Sequence, residues 1–189
     1  MTENRLFPFP DKDACATIYK KDPCYPKIPE CDRKTVFENA WETGSREAKC
    51  FLDEIGPEGL SMYSVLVRQG YSVRAEDTDY VMGMTRYFCE LYPADNSVVI
   101  YRKSVQLWAD EQGLSYGLAK NIILAHEYFH HLEVRKIGWV SRQYLVPMLK
   151  IGRLSIGKTG IAALSEVAAN AFANEYYRRC VELNITDFD

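Results

Sequence analysis

What most constrains this 189-residue chain is one helix that carries every histidine it has. From about residue 115 to 136, Leu118, Ile122, Ala125, Phe129 and Leu132 recur at threes and fours, the mark of a buried helical face. Gly138 breaks the pattern. The 3 histidines all fall in this stretch, at 126, 130 and 131. His126-Glu127-Tyr128-Phe129-His130 reads H-E-x-x-H. Positions four apart in a helix lie one turn apart on nearly the same side, so the imidazoles of His126 and His130 can meet on one metal ion. Neutral imidazole suits zinc, at about 2.0–2.1 Å in a tetrahedral site. Glu127 stands beside that face, where a carboxylate can take a proton from a water at the metal without being a ligand. A cluster without metal would leave each imidazole in need of a hydrogen-bond partner. His131 points about 100° away from His130 and is expected to pack or to support the site.

Two histidines do not complete a zinc centre. The extended form HExxHxxGxxH would need Gly at 133 and His at 136, where Glu133 and Lys136 stand. With no histidine left, the third ligand is a carboxylate or a thiolate. Glu166 is the best candidate, in the first turns of a C-terminal helix expected over about 161–180. Asn170, one turn further on the same face, can hydrogen-bond the far nitrogen of a ligating histidine. Ala162, Ala163, Ala168, Ala169 and Ala171 would let this helix pack closely against the first. Glu133 is the rival. A continuous helix sets it a turn beyond the metal, so contact with His130, His131 or solvent is expected. Cys180 lies 14 positions past Glu166, about 21 Å along a straight helix.

The remainder frames these two helices. Prolines at 8, 10, 23, 26 and 29 make residues 1–32 read as irregular, with Phe7, Phe9, Tyr19 and Tyr25 as anchors. A helix follows over 33–53, capped by Asp32, weakened by Gly44 and Ser45, and ended by Gly56-Pro57. A second helix covers 58–69, with Leu60, Tyr63 and Val67 inside. Strands are expected at 71–74, 86–92 and 97–105, the last two joined by a turn at Pro93-Ala-Asp-Asn. The expected fold is α+β: a small antiparallel sheet packed on the histidine helix and the C-terminal ligand helix. Residues 1–57 form an N-terminal extension and helix, and 58–189 the main domain.

Composition excludes several classes. No apolar run approaches the roughly 20 residues of a membrane-spanning helix, and the start has no signal-peptide character. A cytoplasmic protein is expected, with its six cysteines as free thiols. A net charge of −3 argues against a dedicated nucleic-acid binder. Between 134 and 165 stand six basic residues (Arg135, Lys136, Arg142, Lys150, Arg153, Lys158) and no acid. This segment joins the two ligand helices and is expected near the cleft, or else as a solvated surface.

In its strand Val98-Val-Ile-Tyr101, its His126-Glu127-x-x-His130 and its Glu166-x-x-Ala169-Asn170-x-Phe172-Ala173, the chain resembles the ImmA/IrrE family of gluzincin metallopeptidases. The likeness covers about 60–180. The family commonly has Leu-Gly where Tyr128-Phe129 stand, which alters the packing of the helix. The resemblance implies a zincin-like fold and an intracellular peptidase acting on a protein or peptide, often a regulatory one such as a repressor or phage-related protein. One zinc would be held by His126, His130 and Glu166, with Glu127 as general base. Strand 97–105 would be an edge for an extended substrate. Tyr144, Arg142 and Tyr176 are candidates by type for stabilising an oxyanion. Two other readings stand beside it: a catalytically silent zinc module that binds a partner, and a metal-assisted hydrolase of a non-peptide substrate.

Overall fold

The computed structural model describes residues 9–188 other than 84 and 153. Its helices and strands run α1 Lys12–Lys21, α2 Glu30–Ile55, α3 Met62–Arg68, β1 Ser72–Glu76, β2 Tyr80–Met82, β3 Thr85–Tyr87, β4 Cys89–Tyr92, β5 Ser97–Tyr101, α4 Arg102–Gln112, α5 Tyr116–Leu132, β6 Val146–Ile151, β7 Leu154–Thr159 and α6 Ala162–Glu182. The fold is α+β. Phe7, Pro8 and Arg153 lie outside the described residues.

α6 is the axis on which α1, α2 and α5 pack. Its buried face is mostly small (Ala163, Ala168, Ala169, Ala171, Ala173) with Phe172 and Tyr176 as the large fillers. Small residues allow close approach, and at one point α2 uses it fully. A Cβ on Gly44 would lie 1.9 Å from the Ala168 carbonyl oxygen. Gly44 and Ser45, expected to weaken α2, are buried where the two helices touch.

The N-terminal segment is not irregular throughout. Asp11 caps α1 by accepting a hydrogen bond from the Ala14 N–H at 2.7 Å. Cys15 and Tyr19, four apart, turn inward. The flanking prolines bound this helix; none lies within it. Cys15, Tyr19, Phe37 and Phe51 share one hydrophobic cluster with Val98, Phe129 and Phe172, so the described part of residues 1–57 shares its core with 58–189. α2 starts after Pro29, earlier than expected, and ends at Gly56 with φ +63. α3 is shorter than expected, and Tyr63 and Val67 are exposed. Its inner stripe is Met62, Val65 and Leu66, fixed where Asn121 of α5 accepts from the Met62 N–H at 2.7 Å.

The sheet has the order β1-β5-β4 and is mixed, not antiparallel. β4 and β5 pair antiparallel across the turn at 93–96, as expected, but β1 runs parallel to β5. The β2–β3 hairpin and β4 lie between β1 and β5 in sequence, so β1 meets β5 by a crossover and not by a tight turn. The expected strand over 86–92 is divided at Phe88: β3 folds back on β2 and β4 joins β5. The strand expected to reach 105 stops at Tyr101, where α4 begins directly. β5 is therefore central and buried, and β1 and β4 are the edges. Residues 146–159 form the β6–β7 hairpin. All six cysteines are free thiols. Among the described residues no helix is long and apolar enough to cross a membrane.

Gly44→Ala tests the α2–α6 contact. Intrinsic helix propensity favours alanine by about 1 kcal/mol, but a methyl at 1.9 Å from a carbonyl must part the helices, at a cost of about 1–3 kcal/mol or more. A lower midpoint in urea is the expected net result; a higher one would mean that the contact is looser than described.

Candidate metal centre

α5 starts at Ser115, whose hydroxyl accepts from the Leu118 N–H at 3.1 Å. Leu118, Ile122, Ala125, Phe129 and Leu132 are all buried, as the periodicity requires. The adjoining face carries His126, Glu127 and His130, half-buried. Glu166 meets them from the second turn of α6. The donor atoms of His126, His130 and Glu166 all lie within 4.8 Å of one another.

The separations are informative. His126 Nε2 and His130 Nε2 are 3.3 Å apart. Glu166 places Oε2 at 3.4 Å from His126 Nε2 and Oε1 at 3.6 Å from His130 Nε2. Ligands on a tetrahedral zinc with bonds of about 2.0–2.1 Å stand about 3.3–3.4 Å apart. Both rings are also oriented from behind. His126 Nδ1 is 2.9 Å from Asn170 Oδ1, and His130 Nδ1 is 2.9 Å from Glu133 Oε2. Each acceptor keeps a proton on Nδ1 and leaves Nε2 to face the centre. These residues fit a divalent ion, zinc by their donor types.

Glu133, the rival ligand, turns away from the centre. Its side chain is fully buried. Besides His130, it accepts from the Val140 N–H at 2.8 Å and the Ser165 hydroxyl at 2.7 Å through Oε1. The helix widens into a π turn over Glu133–Ile137 just there, which aims the carboxylate at the returning chain. Of the contacts expected for it, the one to His130 is found.

The electrostatics of these side chains follow from the geometry. Burial favours neutral His126, but the hydrogen bond to Glu166 and the nearby acids overcome it and raise its pKa to about 9. Burial likewise opposes charge on Glu166, yet its bond with His126 and the charges of both histidines hold it at about 2. Glu127 is pushed up by burial, an effect that the histidines partly offset.

Glu127, His126, Glu166 and Asn170 line a cavity of about 860 Å³. Besides Ile122 and Ile123 of α5, Cys89 of β4 and Ala173 of α6, the cavity is walled by parts the sequence did not place there: Pro10 and Ile18 from the N-terminal segment, Trp108 from α4, and the β2–β3 hairpin. Arg86 at the hairpin base is held by Asp79 in two hydrogen bonds of 2.5 and 2.7 Å. The spacing of Val105, Trp108 and Ala109 was the available signal for α4; nothing local announces that Ile18 faces the site.

Other expectations need correction. Tyr176 donates to the Leu60 carbonyl at 2.6 Å, Tyr144 donates to Asp32 at 2.7 Å, and neither they nor Arg142 line the cavity. No described residue from 134 to 165 lines it; the basic run continues into the β6–β7 hairpin. β5 cannot serve as an edge, since β1 and β4 occupy its two sides. His131 lies apart, 3.0 Å from the Tyr71 hydroxyl and stacked on Tyr128. Phe129 faces the core against Phe172 at 5.9 Å, so its bulk stays out of the cavity.

Comparison with known proteins finds no family model, no curated protein and no solved structure that matches the chain.

Two measurements probe the centre. A divalent ion can bind His126 only as its second proton leaves. With a pKa of about 9, metal binding at pH 7 should release about one proton and weaken about tenfold per pH unit as the pH falls. Calorimetry in two buffers of different ionisation enthalpy should give different heats; equal heats would show His126 neutral. Glu133→Ala should weaken zinc binding about 10- to 100-fold by freeing His130, as read by competition with a chromophoric chelator. Unchanged affinity would show that the ring needs no such support.

Proposed function

We propose that this protein is a zinc-dependent peptidase of the ImmA/IrrE kind. The observation that carries the reading is the convergence of two Nε2 atoms and the Glu166 carboxylate at tetrahedral spacing, with Glu127 beside them on the same cavity. His126, His130 and Glu166 hold the ion. When bound, the ion would supply a water of lowered pKa, towards about 7, and Lewis acidity towards a carbonyl.

The chain's own residues do the rest. Asn170 and Glu133 fix the two rings, so that the centre is organised before substrate arrives. Glu127 takes the proton of the attacking water and later delivers it to the leaving nitrogen. Of the two edge strands, β4 is the one with a residue, Cys89, on the cavity wall, and so the one placed to pair with an extended peptide. The six free thiols suit a cytoplasmic site of action. A purely structural zinc is closed by four protein ligands; three donors opening on a cavity with an acid beside them suit catalysis better than a silent module.

Glu127→Gln keeps the ligand set and removes the base. It should retain about one zinc per chain and lose peptide hydrolysis by at least about 100-fold. Glu166→Ala should lose the metal itself. Elemental analysis alongside a peptide-cleavage assay separates the two, and a Glu127→Gln variant as active as its parent would refute the base assignment.

A further inference from the structure

We propose that the apolar part of the cavity is a subsite for a bulky apolar side chain next to the scissile bond, and that the N-terminal helix α1 contributes to it. This rests on the peptidase reading above; of the lining residues, Pro10 and Ile18 lie outside the stretch that resembles a known family.

The acids, imidazole and amide of the lining belong to the metal centre; Thr85, Arg86 and Tyr87 of the hairpin are the other polar groups of the lining, and Ile18, Val81, Phe88, Trp108, Ile122 and Ile123 supply its apolar part. Ile123 and Ile122 stand three and four positions before His126 on α5, so their side chains lie one turn from the centre on neighbouring faces. Trp108 is buried, with Phe88 at 6.2 Å and Phe9 at 5.9 Å between ring centroids. That makes an aromatic wall. Ile18 comes from α1, which is fixed against α6: Cys15 is fully buried, and the Asn174 side-chain amide donates to the Pro10 carbonyl at 3.1 Å.

Charge supports the same preference. Among the described residues Arg86 is the one Lys or Arg on the lining, and Asp79 already engages it twice. The lining acids, Glu127 and Glu166, belong to the metal centre. A charged substrate side chain entering the apolar part would lose its hydration without gaining a partner. An apolar one gains in proportion to the area it buries. At about 860 Å³ the space matches pockets that enclose a small organic ligand, enough for a large side chain with its flanking backbone.

The test uses the zinc-loaded full chain and end-capped fluorogenic hexapeptides that differ only beside the central bond, with Phe, Leu, Gly, Lys or Glu there. The expected kcat/KM for Phe and Leu exceeds that for the other three by at least about tenfold, the discrimination a hydrophobic pocket gives. Ile18→Glu and Ile123→Thr replace half-buried lining residues. They should cut that margin at least about fivefold with zinc content and melting temperature unchanged. Equal cleavage of the Lys, Glu and Phe peptides, or a margin untouched in both variants, overturns the subsite. Binding of the same peptides to the Glu127→Gln variant, read by fluorescence anisotropy, separates this proposal from the peptidase reading. No cleavage of any peptide, with tighter binding of Phe and Leu than of Gly, supports the subsite while the peptidase reading falls. Equal binding of all five overturns the subsite.

Discussion

A carboxylate with no exposure to water joins the two helices of the centre. A polar side chain in the interior is costly unless its atoms find hydrogen-bond partners, and Glu133 meets three: His130 Nδ1, the Val140 N–H and the Ser165 hydroxyl. Each contact belongs to a different part of the chain. The first orients a ring on α5, the second fixes the backbone after the π turn, and the third grips the residue preceding Glu166. One side chain thus sets both the aim of an imidazole and the position of the helix that brings the opposing acid. Ser165 passes the tie on by accepting from the Ser141 N–H at 3.1 Å.

Around that tie the molecule is arranged for close approach. The alanine-rich face of α6 and Gly44 of α2 bring backbones together, while Phe172 fills space between Phe51, Tyr128 and Phe129. Tight packing limits the ways α6 can shift along its neighbours. A centre built on two helices depends on that, because Glu166 and Asn170 lie a single turn apart on a rod whose register is set by contacts along its length.

The histidine helix was legible because its signals are local: a 3.6-residue apolar period, a motif within one turn and a half, and a glycine after the end. Glu166 and Asn170 were legible by elimination and spacing. What escaped has a common cause. α4 follows β5 without a breaker, and its first residue is preceded by Tyr101, whose side chain makes no cap, so the β-branched run hid the change of structure. Parallel pairing of β1 with β5 depends on which strand is met after a crossover, which alternation within a strand does not encode. The full role of Glu133 needed the π turn. Ile18 faces the cavity only because Cys15 and Tyr19, its neighbours on α1, are drawn into a core whose other half lies more than a hundred residues away.

That last separation has a temporal side. His126 and His130 are complete within one helix, and a growing polypeptide holds them as soon as α5 can form. Glu166, Asn170 and the surface that seats α1 and α2 all reside on α6, which is synthesised after every element it contacts. During translation α1 and α2 can meet each other and α5, but the faces that α6 covers must wait until the ribosome has released it. A chain that lacks α6 would therefore hold neither a finished core nor the Glu166 side of the centre.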